Sequence, residues 1–357
     1  MRVLKDIKYL MLFLALGLLV NPSNSYAEEC YNSAGKRKLP NLRKLNLQSS
    51  KRSLKTKGIS AEFLISENLE VLKGHFPDYK IFPGVLYAQM AAKLIQRQES
   101  VFGEKVYISQ VSEFNNKAQG LPGSRVLLEI QLSESKSKQK IWKVKAKNPN
   151  NEKVIFSEGQ IISQAIPKGF YKTKPNPEAD HSTEALYSTA VNLAFLKHEK
   201  EIFFPIEVLR YQFPEETTLL KNAGLESLEL LNHKVFTRVN IAKSHLLMEN
   251  IDANNSHLPI TNFSELGAQT ALLILKPHFS GQLPYEVLLR GVKNVVLNKA
   301  IHSQQNYYME SEVIKATYKR RMGILSVDFV VQIFDAQQDL VASANISGVL
   351  MPKSEID

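Results

Sequence analysis

The sequence predicts an α+β protein made of two similar units, each a long helix followed by an antiparallel run of strands. Three observations lead there. A helical pattern opens at Pro83-Gly84 and is followed by four strand-like runs; the same order begins again at Pro259; and a stretch containing Pro167, Pro175 and Pro177 separates the two. With 357 residues, 44% of them apolar, the chain has material for two ordinary cores.

In the first unit, Ile59 to Ser66 and Leu69 to Lys73 read as strands, and Gly84 to Gln98 as a helix with Leu86, Met90 and Leu94 on one side. Ala88, Ala91 and Ala92 are small enough for a sheet to wrap closely around that helix. Strand-like runs follow at Lys105 to Phe114, Ser124 to Leu132, Lys140 to Lys147 and Val154 to Ser163, so that 59–166 form the first domain. Residues 167–181 read as a linker. Residues 182–232 are rich in Leu and helix formers and predict a helical insert, with helices around Leu186 to Lys200 and Thr217 to Leu231. The second domain, 233–353, predicts a strand at His233 to Ile241 and a helix at Thr261 to Leu275. Four further strands are expected at Glu286 to Leu297, Tyr307 to Tyr318, Gly323 to Asp335 and Leu340 to Leu350.

Ahead of both units lies a leader. Arg2, Lys5 and Lys8 precede an apolar run from Tyr9 to Val20, and Ser25-Tyr26-Ala27 closes a small-residue segment. That is the layout of a secretory signal over 1–27, and it predicts export, to the periplasm in a bacterium. Residues 28–58 read as a basic disordered linker or a second targeting segment; together with the signal they resemble the bipartite leader of proteins sent to plastids of secondary origin. Residues 1–60 carry twelve Lys and Arg against three Asp and Glu, out of a total net charge of +10. The folded part is therefore nearly neutral, and nothing implies a nucleic-acid face. Cys30 is the only cysteine, which excludes an intrachain disulfide and a cysteine-based metal site.

The most informative stretch is Lys73 to Gln96, KGHFPDYKIFPGVLYAQMAAKLIQ. Pro83 suits a helix entrance, and Gly84 leaves a backbone N–H bare at the positive end of the helix. The stretch resembles the signature of the hot dog fold 3-hydroxyacyl-carrier-protein dehydratases: GHFP, a short loop, PGVL, then two residues and an acid. His75, Phe76, Pro77, Pro83, Gly84, Val85 and Leu86 match at the family spacing. Lys80 stands where the family usually carries Pro, and Gln89 where it carries the catalytic carboxylate. An amide does not exchange a proton as a carboxylic acid does.

Superposing Pro259 on Pro83 places Glu265 on Gln89, with Gln269 four residues later, while the position of His75 falls on Ile251. The two losses are complementary. The layout resembles the tandem double hot dog dehydratase domains of polyketide synthases, in which His comes from the first unit and the acid from the second. The resemblance implies a double hot dog, two antiparallel sheets each wrapped around a long central helix, acting as a pseudo-dimer within one chain; a further homodimer is left open. It also implies one composite site. His75 would take the C2 proton, Glu265 would protonate the departing C3 hydroxyl, Gly84 and Val85 would receive the thioester oxygen and substrate, and Gln269 would orient Glu265. Gln89 and Ile251 would face each other in a dead second site. The expected activity is dehydration of a (3R)-3-hydroxyacyl thioester of acyl carrier protein or coenzyme A, without metal or cofactor. An acyl thioesterase on the same fold, or an inactive acyl-binding scaffold, are the alternatives.

Overall fold

The computed structural model describes residues 58–69, 72, 80–136, 138–171, 191–196, 203–217, 219, 224–242, 245, 247–250 and 256–352, with the backbone of 42–48. The expected leader, Cys30, His75 and Ile251 lie outside the described residues, as do most of the expected linker and much of the insert. Among the described residues no helix is long and apolar enough to cross a membrane.

Each repeat is built around one helix. In the first, α1 (Gly84–Val101) starts directly after Pro83, whose φ of −59° is already the helical value. Its residues are buried nearly all round, including Leu86, Ala91, Leu94 and Ile95, so the helix runs through a core rather than over its surface. In the second, α2 (Ile260–Leu272) follows Pro259 in the same way and runs on into a 3-10 turn, Leu273–His278. The two helices pack against each other.

The strands obey period two. In β14 (Ile324–Phe334), Leu325, Val327, Phe329, Val331 and Ile333 are buried while the residues between them are not. The others are β1 (Leu42–Gln48), β2 (Gly58–Leu64), β3 (Val106–Asn116), β4 (Arg125–Lys136), β5 (Gln139–Asn148), β6 (Asn151–Ala165), β7 (Ile206–Gln212), β8 (Lys234–Asn240), β11 (Tyr285–Leu297), β13 (Asn306–Lys319) and β15 (Leu340–Pro352). All lie in one twelve-stranded antiparallel sheet of order β1-β2-β4-β5-β6-β3-β11-β15-β14-β13-β8-β7. The order β2-β4-β5-β6-β3 of the first repeat is mirrored by β8-β13-β14-β15-β11 of the second, and the halves join where β3 pairs with β11. This is a double hot dog. At the join the backbones approach so closely that a Cβ on Gly291 would stand 2.7 Å from the Phe114 carbonyl oxygen. A small separate sheet of β9 (Glu249–Asn250), β10 (Ser256–Leu258) and β12 (Ile301–His302) leads into α2.

Four expectations are corrected. Leu69 and Leu72 are not in a strand: Leu69 N bonds Ser66 O and Leu72 N bonds Leu69 O, so both bury from successive turns at i, i+3 spacing. Within the expected disordered linker 28–58, Leu42–Gln48 is an edge strand, because β2 offers it an open row of backbone donors and acceptors. Within the expected helical insert 182–232, Ile206–Gln212 is likewise an edge strand, on β8, so the second domain's sheet begins before residue 233. The expected helix Thr217 to Leu231 is, among the described residues, only the 3-10 turn Leu225–Ser227. Leu225, Leu228 and Leu230 bury from a largely extended path that ends at Asn232, where φ is +61°. Leu residues three apart mimic a helical period there. The helical segment 191–196 does fall inside the expected helix Leu186 to Lys200.

Histidines buried beside one another give the fold an acid limit. His233 and His278 lie with ring centroids 5.4 Å apart, and the His233 ring bonds the Thr217 hydroxyl at 3.2 Å. Burial, aided by His278, pushes His233 down to about 4, and burial alone lowers His278. Burial, aided by His257, pushes His302 down to about 4 as well. The unfolded chain takes up these protons near pH 6.5 and the folded chain does not, so stability is full above about pH 6.5 and is lost as the pH falls toward 4. His233 and His302 should each cost about 1–2 kcal/mol at pH 5. Melting curves between pH 7.5 and 5 should show Tm falling steadily; a flat Tm would contradict this account.

Candidate active site

A cavity of about 370 Å3 opens between the repeats. The start of α1 (Pro83, Gly84, Val85), the end of β3 (Asn116), the middle of α2 (Glu265, Gln269) and the facing stretch of β11 (Tyr285 to Arg290) all line it. Much of the remaining wall is apolar, with Phe82, Leu272, Leu283, Phe329 and Ile346. A largely apolar cavity with a few polar groups suits a hydrocarbon chain carrying one reactive head.

Glu265 reaches this cavity because α2 lies very close to the sheet. A Cβ on Gly267 would stand 2.7 Å from Ile346 Cδ1, so a larger residue there would push that side chain aside, and Asn262 Nδ2 ties the first turn of α2 to the Leu247 carbonyl at 2.8 Å. Glu265 is 5% exposed. Its Oε1 accepts a hydrogen bond from Gln269 Nε2 at 2.9 Å, and Gln269 Oε1 in turn accepts from the backbone N–H of Phe204 at 3.0 Å. The amide is thus held at its oxygen end by the backbone and presents its NH2 to the carboxyl, which selects one carboxyl rotamer.

Gly84 lines the same cavity. No side chain caps the start of α1 and no acidic residue occupies its first turn, so the helix presents its positive end without internal compensation. A Cβ on Gly84 would stand 2.1 Å from Asn116 Nδ2, so any side chain here requires Asn116 or the helix start to move. Gly84, Val85, Glu265 and Gln269, four of the five residues singled out from the sequence, therefore line one cavity. The fifth, His75, lies outside the described residues, as does Ile251.

The pseudo-symmetric counterpart is much smaller among the described residues. Gln89 opens onto a separate space of about 30 Å3, shared with Thr261 at the start of α2 and with Tyr171 and His257. Gln89 Nε2 donates to Glu249 Oε1 at 2.6 Å, and Lys93 Nζ approaches the same oxygen at 3.3 Å. Gln89 thus has a carboxylate for a neighbour and sits in a space fit for about one water molecule.

Two contributors escape the sequence. Phe204, in the segment expected to be only a packing insert, supplies the N–H that holds Gln269. The neighbouring helix 191–196 puts Leu196 on the cavity wall; Asn192 Nδ2 bonds Ile206 O at 2.7 Å while its Oδ1 accepts from Lys276 Nζ at 2.8 Å. Asn116 is the second, and its neighbourhood with Gly84 depends on how β3 meets β11, which no local pattern encodes.

Comparison with known proteins places the first repeat in a family. The family model described as ApeI dehydratase, of the ApeI-like family, matches residues 50–160. The 3-hydroxyacyl-[acyl-carrier-protein] dehydratase FabZ of Bacillus cytotoxicus is 30% identical over 125 residues, which cover 34% of this chain and 76% of that one. FabZ of Exiguobacterium sibiricum is 31% identical over 94 residues, 25% of this chain and 63% of the relative. Among solved structures, a putative oleoyl thioesterase of Lactobacillus plantarum is similar with a TM-score of 0.49 at 11% identity, covering 84% of this chain and all of that one; so distant a likeness does not speak for chemistry. The chain belongs to the hot dog 3-hydroxyacyl dehydratase family. It spans less than two thirds of the length of most of the curated relatives it matches, 63% and 60% in the first and third of them.

Proposed function

We propose that the protein is a 3-hydroxyacyl-thioester dehydratase, a hydro-lyase working in fatty acid or polyketide-like synthesis on acyl carrier protein or coenzyme A thioesters. The observation that carries this reading is the chain Phe204 N–H, Gln269, Glu265 in a cavity shared with the uncapped start of α1. In the forward direction, His75 takes a proton from C2. The electron pair closes the C2=C3 bond as the C3 hydroxyl leaves, and Glu265 gives that oxygen its proton so that it departs as water. Negative charge on the thioester oxygen is met by the N–H groups of Gly84 and Val85 and the helix dipole behind them. Glu265 ends as carboxylate and His75 as imidazolium, and one proton returned between them or through water resets the site. The GHFP spacing and the FabZ relatives support the role of His75 and the thioester substrate.

The test is hydration of a crotonyl thioester, presented both on coenzyme A and on an acyl carrier protein and followed by loss of enoyl absorbance. The full protein is expected to hydrate it, and His75→Ala to lower kcat by about 10²–10⁴-fold with Tm little changed. Release of free thiol without hydration would instead favour a thioesterase, in which Glu265 activates water. A protein that does neither, yet binds the acyl chain, would be the inactive scaffold.

A further inference from the structure

We infer that Asn116 is a positioning residue: its side-chain amide clamps the start of α1, and with it the Gly84 and Val85 N–H groups, to the second repeat. Three contacts carry the inference. Asn116 Nδ2 donates to the Leu289 carbonyl oxygen at 3.1 Å, on β11 of the second repeat. Asn116 Oδ1 accepts from Ser157 Oγ at 2.9 Å, on β6 of the first; that hydroxyl is buried and also lies 3.0 Å from the Asn115 carbonyl oxygen. The amide so pinned at both ends lies against the Cα of Gly84, leaving no room for even a methyl group.

The consequence follows from where these groups stand. Leu289, Asn116, Gly84 and Glu265 line the same cavity, but Glu265 belongs to the second repeat and Gly84 to the first. An acid on one repeat and oxyanion donors on the other act on one substrate only if their separation is fixed. The Asn116 clamp crosses the join at the point where the helix start meets β11. Catalytic geometry is sensitive at this scale, since a misplacement of about 1 Å can cost about 100-fold in rate. The residue type is also specific. An amide offers a donor to Leu289 and an acceptor to Ser157 at once; a carboxylate would set an oxygen against the Leu289 carbonyl, and an aliphatic side chain would bond neither.

The inference rests on the dehydratase reading, and the experiment separates the two. In hydrogen exchange, Asn116→Ala should speed exchange of the amides in the first turn of α1 while β5 and β14 exchange as in the wild type; unchanged exchange at 84–88 would overturn the clamp whether or not the protein is an enzyme. In the hydration assay, Asn116→Ala should lower kcat by about 10–100-fold with KM little changed. Asn116→Asp should be slow at neutral pH and recover kcat as the pH falls, because the protonated carboxyl again donates to Leu289 O, whereas wild type should show no such gain. A kcat equal to wild type in Asn116→Ala, or a loss of rate matched by loss of the folded transition in both variants with no recovery in acid, would overturn it. Wild type that hydrates no thioester would count against the dehydratase and leave the exchange result to decide the clamp.

Discussion

Glu265→Gln should reduce kcat for thioester hydration by about 10²–10⁴-fold while leaving Tm unchanged or slightly raised. The substitution is close to isosteric. A Gln at 265 keeps an oxygen to accept from Gln269 Nε2, and Gln269 keeps its bond from Phe204 N–H, so the local hydrogen bonding and the packing of α2 survive. What disappears is a group that alternately holds and releases a proton. A buried carboxyl is also costly to keep without full compensation, which is why the fold should not suffer from its loss. The measurement is steady-state hydration beside a melting curve on the same sample. A rate near that of wild type would remove Glu265 from the chemistry and with it the composite site. A fall in rate accompanied by unfolding would mean that the residue is structural. The first repeat already contains the natural comparison: Gln89, in the corresponding place on α1, bonds Glu249 and opens onto a space of only about 30 Å3.

That comparison also marks what the sequence made legible. The two helices and ten of the strands could be read because each carries a clean period and a proline or polar turn at its ends, and because the second set repeats the order of the first. Glu265 was found the same way, by laying Pro259 on Pro83. The edge strands Leu42–Gln48 and Ile206–Gln212 were not, since an edge strand needs only a partner's open backbone and no alternation of its own. Nor was the bond from Gln89 to Glu249, a residue in a short strand whose placement depends on β10 and β12; Ile251, the residue expected opposite Gln89, lies outside the described residues. Asn116 and Phe204 belong to the same class. Each acts across 65 residues or more, Phe204 on Gln269 and Asn116 on Leu289, and a contact at that separation leaves no trace in local spacing.

Gly84→Ala should damage both rate and stability, and the pairing of those losses is what makes it informative. The added methyl carbon would stand 2.1 Å from Nδ2, 2.2 Å from Oδ1 and 2.3 Å from Cγ of Asn116. An unrestrained amide would swing aside. This one is bonded at both ends, to Leu289 O and Ser157 Oγ, so relief comes only by breaking those bonds or by moving the first turn of α1. Overpacking of this kind costs about 1–3 kcal/mol. In a chain of this size each kcal/mol lowers Tm by about 2–4 °C. Displacing the oxyanion donors should in addition cost roughly 100-fold in kcat. Removing the obstruction then distinguishes the two effects. In the double variant Gly84→Ala with Asn116→Ala, the methyl group has room and Tm should return to that of Asn116→Ala alone. The rate should not return, because the clamp is still absent. If the double variant regained wild-type kcat, the position of the helix start would owe nothing to Asn116, and close packing alone would explain why residue 84 is glycine.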